Sequence, residues 1–191
     1  LELVQEFPDK INIHPLDVLD FMAINALSVA LNGQSIDILI NNAGMYGDSS
    51  KTAFGQMDYA LWNQVLTVNT MAPIKMAEAF LPHICKGSRK LIVNLTSLMG
   101  SIADNQGGGS MMYRSSKAAL NAALKSMAID LKPQGIGIMI LHPGWVKTDM
   151  GGSNAPTLPE ASVAGLRQVI EAFRLPDSGR FLDFKGKELP W

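Results

Sequence analysis

The 191 residues, 47% hydrophobic and 17% charged, suffice for one buried core and do not require a second, so a single domain over residues 1–191 is expected. Sixteen basic side chains against seventeen acidic ones leave a formal charge of −1, which sets up no field to attract phosphate backbones or anionic lipid and argues against nucleic acid as a partner. No apolar run, that of 138–141 included, approaches the roughly 20 residues that cross a bilayer, residues 1–7 lack the basic start of a signal peptide, and a lone Cys85 makes no internal disulfide, so a cytoplasmic chain with no membrane contact is expected.

Short β-branched runs alternate with longer stretches of helical spacing, the pattern of repeated βα units around a parallel sheet, and the fold class is α/β. The opening LELVQEF reads as the last turns of a helix, so the chain is expected to begin in mid-element, and INIHPLDV at 11–18 reads as a strand. Asp20 is placed to cap a helix over 21–31, with Ala23, Ala26, Leu27 and Ala30 at helical spacing and Asn32-Gly33 as its stop. The next strand, 36–40, is apolar on both faces and runs straight into Asn41-Asn42-Ala43-Gly44. A turn at the carboxyl end of a parallel strand is where α/β sheets bind ligands. Helical spacing resumes over 58–84, where Pro73 predicts a kink or break near Thr70. Strand 91–95 follows, then the loop Gln106-Gly107-Gly108-Gly109, a helix over 110–131 ended by Pro133 and Gly135, and strand 136–141 leading into His142-Pro143-Gly144. The aperiodic stretch to Pro159 predicts a mobile loop beside the site, 160–174 a last helix and 180–184 a short closing strand.

Four groups on this framework carry chemistry. Tyr113 and Lys117, four apart in a helix, project from one face, so the ammonium can act on the phenol. A phenol titrates near ~10, and a fixed cation beside it stabilises the phenolate, which is what a general acid or base at neutral pH requires. The spacing is weak when alone, since a solvated helix face gives it too. Ser97 lies just past strand 91–95, at the sheet's carboxyl edge, where its hydroxyl can meet a substrate oxygen or simply cap a turn. Asn69, just ahead of the Pro73 break, either leaves a helical carbonyl free to hold water or is a plain surface amide. At the third strand end, Pro143-Gly144 lets a ligand approach the backbone closely.

Asn41-Asn42-Ala43-Gly44, Ser97, Tyr113-x-x-x-Lys117 and Pro143-Gly144 stand in the order and spacing of the short-chain dehydrogenase/reductase family, which the chain resembles from Ile11 to Trp191. The stretches 100–105, 142–146 and 179–182 look most like its C-factor or sniffer-type carbonyl reductases. The resemblance implies a Rossmann-like doubly wound parallel sheet, NAD or NADP as cofactor, and hydride exchange with a small carbonyl or alcohol substrate. It implies that Tyr113 exchanges the proton with the substrate oxygen while Ser97 orients and polarises it. Lys117 would lower the Tyr113 pKa and hydrogen-bond the nicotinamide ribose, and Asn69 would hold a water linking Lys117 to solvent. Asp17 and Val18 would meet the adenine, Asn41, Asn42, Ala43 and Gly44 the adenosine ribose, and Val146 with Thr148 the carboxamide, beside Pro143 and Gly144. The helix carrying Ala118, Ala119, Ala122 and Ala123 would pack against its counterpart in a homo-oligomer.

One departure stands out. The family's first strand, its Thr-Gly-x-x-x-Gly-x-Gly turn, first helix and second strand have no counterpart in these 191 residues. An N-terminally incomplete fold is therefore expected, with strand 36–40 at an unpaired edge, and the choice between NAD and NADP is unreadable. Gly107 to Gly109 cannot stand in, since that loop follows no strand. Two other readings compete: an idle or signalling member that uses the fold as an interaction surface, and a sugar-nucleotide epimerase or dehydratase. The second shares the Tyr-x-x-x-Lys pair but needs a larger C-terminal domain than the roughly 75 residues after Lys117 supply. His14, His83 and His142 have no ligand spacing, so no metal is expected. Met45, Met99, Met111, Met112 and Met150 flank the motifs and serve either an adaptable substrate pocket or ordinary core filling.

Overall fold

The β-branched runs that end in polar turns lie side by side in a computed structural model, which describes residues 2–49 and 52–191. Strands β1 (Ile38–Asn41), β2 (Leu91–Leu95), β3 (Gly137–His142) and β4 (Phe181–Asp183) form one parallel sheet in the order β1-β2-β3-β4. Asn41 pairs with Asn94, Leu95 with Leu141 and His142 with Asp183. All four carboxyl ends therefore emerge on one rim, bringing Asn41-Asn42-Ala43-Gly44, Ser97 and Pro143-Gly144 together.

Each strand is apolar on both faces because both are covered. Ile92, Ile138, Ile140 and Phe181 point to one side, against Ile24 of α2 (Phe21–Ala30), Phe80 and Ile84 of α4 (Ala72–Lys86), and Leu120 and Leu124 of α5 (Met111–Leu131). Leu91, Val93, Met139 and Leu141 point to the other, against Leu166 of α6 (Pro159–Ala172). This is the Rossmann-like, doubly wound arrangement, with α1 (Glu2–Glu6) and α3 (Tyr59–Leu66) completing the helices. Leu1, the first residue of the expected opening helix, lies outside the described residues. Among the described residues no helix is long and apolar enough to cross a membrane.

The expected break before Pro73 takes the form of a π-helical turn over Thr67–Met71, with α4 continuing after it. Pro73 has no N–H to give to the carbonyl of Asn69, four residues back, so the regular ladder gives way there. The strand expected over 11–18 is absent. No described strand lies alongside to complete a ladder with it, and its end folds into a turn instead: Asp17 accepts from Leu19 N at 2.9 Å and its carbonyl from Asp20 N at 3.0 Å. Asp20 then caps α2 as expected, accepting from Met22 N and Ala23 N at 2.9 Å each. The stretch expected to be a mobile loop is pinned by backbone pairing, with Lys147 N bonded to Thr157 O at 2.8 Å and Thr157 N to Trp145 O at 3.2 Å.

Candidate active site

Ser97, Tyr113 and Lys117 converge at the rim, each of them buried. Ser97 leaves β2 in extended conformation and its Oγ accepts from Met99 N at 3.1 Å, which closes the turn as the capping reading expected. Gly100 makes the convergence possible. A Cβ there would lie 2.8 Å from the carbonyl carbon of Lys117, so only glycine lets the Ser97 turn sit directly on α5. Lys117 Nζ donates to Leu95 O at 2.9 Å and lies 5.7 Å from the Tyr113 ring centroid.

The electrostatics differ from expectation at one point. The Tyr113 pKa is raised above the usual phenol value, not lowered. Burial disfavours the phenolate, the hydrogen bond with Ser97 pulls the other way, and Tyr46 adds to the rise. The Lys117 ammonium, over the ring and bonded to Leu95 O, does not offset the burial. Lys117 itself is pushed down to about 8 by desolvation. It has no ion-pair partner among the described residues, and an ammonium has three donors of which Leu95 O uses one.

Asn69 is neither a surface amide nor free to hold water by its side chain. It is fully buried, its Oδ1 accepts from Met45 N at 2.9 Å, and its Nδ2 donates to Met45 O at 2.8 Å and Ser116 Oγ at 2.9 Å. Asn41 Nδ2 is likewise engaged within the fold, donating to Asn94 Oδ1 at 2.8 Å and Pro73 O at 3.2 Å. Gly44 faces inward: a Cβ there would lie 3.4 Å from Asn69 Oδ1 and 3.8 Å from Lys117 Nζ. Val18, Asn41, Asn42 and Ala43 line a cavity of about 170 Å³ with Ile40 and Met76, whereas Asp17 is outside it and occupied by its own turn. Val146 forms a bridge with Thr157, and Thr148 Oγ1 accepts from Gly151 N at 3.2 Å. At Gly144, with φ +89°, a Cβ would come 2.9 Å from the Phe184 ring.

Among the methionines the two readings divide: Met112 is wholly buried filler, while Met111 lines a cavity of about 320 Å³ with Tyr46, Ala53 and Phe54. No cluster of metal-ligating side chains exists among the described residues. Sequence reasoning missed Tyr46, Asp48 and Ser110. Tyr46 packs its ring 5.0 Å from that of Tyr113 and shares a 2.5 Å hydrogen bond with Ser110 Oγ, while Asp48 accepts from the amides of Met112 and Tyr113. They lie more than sixty positions from their partners, so no local pattern marks them.

A buried phenol joined to a hydroxyl, above an unpaired buried ammonium, can pass a proton to or from an oxygen lodged between the two hydroxyls. The ammonium's spare donors and the missing Cβ at Gly44 suit a ligand rich in hydroxyls, such as a ribose. These features lie together at the carboxyl rim of a parallel sheet, where α/β folds bind ligands.

The sequence pattern described as short chain dehydrogenase matches residues 1–158. C-signal of Myxococcus xanthus is 45% identical over 156 residues, 82% of this chain and 93% of that one. The carbonyl reductase Sniffer of D. melanogaster superposes with a TM-score of 0.93 at 36% identity, over 100% of this chain and 82% of that one. The NADPH-bound carbonyl reductase from chicken fatty liver gives 0.90 at 34%, over 100% and 81%. The chain belongs to the short-chain dehydrogenase family of NAD(P)-dependent oxidoreductases, in its C-factor/sniffer-type branch.

Proposed function

We propose that this chain reduces a small-molecule carbonyl to its alcohol, or runs the reverse oxidation, with NADP or NAD as the hydride partner. The observation that carries this reading is the convergence of Ser97, Tyr113 and Lys117 on one rim, with Gly100 holding them together. Ser97 donates to the substrate oxygen and fixes its place. Tyr113 gives that oxygen a proton as the carbon is reduced, and takes it back in the oxidation. Burial raises the Tyr113 phenol pKa, so the group rests in the protonated form from which it donates. Lys117 offers its remaining donors to the nicotinamide ribose, Gly44 leaves room for it, and Val18 with Asn42 and Ala43 receives the adenosine end. The cofactor supplies the hydride; the protein supplies orientation, the proton and exclusion of water. Asn69 acts by clamping Met45. A cytoplasmic setting and a homo-oligomer formed through α5 belong to the same reading.

The test pairs cofactor titration by fluorescence with carbonyl-dependent loss of reduced-nicotinamide absorbance. Tyr113→Phe is expected to lower kcat by about 10²- to 10⁴-fold while the cofactor Kd stays within about threefold. Wild-type turnover in that variant would remove Tyr113 from the chemistry. The C-signal relative favours a second reading, a signalling role for the same fold, which predicts that neither nicotinamide cofactor binds saturably.

A further inference from the structure

The first turn of α5 carries Tyr113 as its third residue, and helix starts leave four amides without intrahelical partners. The usual remedy fails locally. Ser110, at the capping position, is left-handed with φ 46° and ψ 46°, and its side chain caps nothing. Gly107 to Gly109 ahead of it are exposed, two of them at positive φ. Nothing adjacent in sequence therefore holds the turn.

The partner comes from the loop after β1. Asp48 Oδ1 accepts from Met112 N at 3.2 Å and Oδ2 from Tyr113 N at 2.8 Å, so one carboxylate spans both amides. Its negative charge also faces the positive end of the α5 dipole. The loop is built to deliver it. Asn69 grips both backbone groups of Met45, and Tyr46 bonds Ser110 and packs its ring at a 44° tilt against that of Tyr113. Gly47 then turns the chain at φ +76°, where a Cβ would come 2.4 Å from the Val65 side chain. We infer that Asp48 is a positioning residue for Tyr113: it fixes the backbone of the proton donor from the loop that follows β1. The inference rests on the proposed role of Tyr113.

Asp48→Ala, Asp48→Asn and Asp20→Ala separate this from plain helix capping, because Asp20 makes the same two-amide cap on α2, far from the phenol. At saturating NADPH, Asp48→Ala is expected to lower kcat about 10- to 100-fold with the cofactor Kd within about threefold, the cost of a small misplacement of a reacting group. Asp48→Asn keeps one acceptor oxygen and is expected to recover part of that loss. Asp20→Ala is expected to lower the unfolding midpoint comparably and leave kcat unchanged. Wild-type kcat in Asp48→Ala, or an equal loss in Asp20→Ala, overturns the inference. If Asp48→Ala does not fold, Asp48→Asn decides: a loss of threefold or more supports it and wild-type kcat overturns it. If the wild type reduces no carbonyl, the proposed function falls first, and amide hydrogen exchange then decides separately. Faster exchange at Met112 and Tyr113 in the Asp48 variants alone supports the holding role; unchanged exchange removes it.

Discussion

Ile138 and Ile40 stand two strands apart in the same parallel sheet, the first wholly buried and the second 53% exposed. Around Ile138, β3 has a neighbour on each side, α5 lies over it, and several buried polar groups are paired, though Asn121 Nδ2 and His142 Nδ1 are not: Thr96 bonds Asn121 Oδ1 at 2.7 Å, Thr70 bonds Ser116 O at 2.8 Å, and Asn69 makes three bonds. Around Ile40, β1 has one ladder neighbour among the described residues, and residues 11–18 approach without joining the sheet. Ser97, Tyr113 and Lys117 thus rest on the α5 flank, with the loop after β1 adding the Asp48 and Tyr46 contacts at Tyr113. The cavity proposed for the adenosine end is shaped by the β1 flank, where packing is thinner. Stability and proton chemistry are expected to answer to one flank, association and cofactor affinity to the other.

The largest effect that tests this contrast is on the core. Ile138→Ala removes methyl groups from a site closed on all sides by Ile92, Leu124 and Phe181, and is expected to cost about 2–5 kcal/mol in urea unfolding. A cost under about 1 kcal/mol would mean that the α5 flank relaxes as readily as the β1 flank, and the contrast would disappear.

Which parts were legible beforehand follows the same division. β2 and β3 are unbroken apolar runs ending in polar turns, and their period shows in the sequence because both faces are buried. Tyr113, Lys117 and Ser97 are legible because local spacing and strand ends place them. Residues 11–18 mislead because strand propensity is realised only where a ladder exists to join. The side-chain amides of Asn69 and Asn41 reach Met45, Ser116, Asn94 and Pro73 across 24 to 53 positions, contacts that no local pattern displays. The Tyr113 pKa was misjudged for a related reason: helical spacing shows that Lys117 is near but does not show the depth of burial that outweighs it.

A middle-sized effect sharpens the contrast within the α5 flank itself. Lys117 is a cation 4% exposed, and its pKa of about 8 in the fold lies below the 10.5 of an exposed lysine. Between these values the unfolded chain binds the extra proton, so stability rises with pH across that window and the cost of the buried charge is complete below about 8. Lys117→Met is therefore expected to stabilise the protein by about 1–2 kcal/mol at pH 7, after loss of the bond to Leu95 O, while abolishing turnover. The gain is expected to shrink as pH is raised toward 9.5. Equal gains at pH 7 and 9.5 in denaturant titrations would show that the charge was not the source. A stabilised, inactive variant would mark Lys117 as retained for function at the expense of the fold.

The smallest expected effect falls on the other flank. Ile40→Thr keeps the β-branched shape that suits a strand, and the side chain it replaces is more than half in water, so the unfolding midpoint is expected to move by no more than about 0.5 kcal/mol. What changes is the surface. Ile40 sits beside Val18 and Met76 on the side of β1 that has no ladder neighbour among the described residues, and an apolar strand edge invites pairing between copies wherever it is uncovered. Sedimentation at matched concentrations is expected to show less self-association in the variant than in the wild type. If Ile40→Thr instead costs more than about 1 kcal/mol, something covers this edge in solution, and the β1 flank is as closed as the one around Ile138.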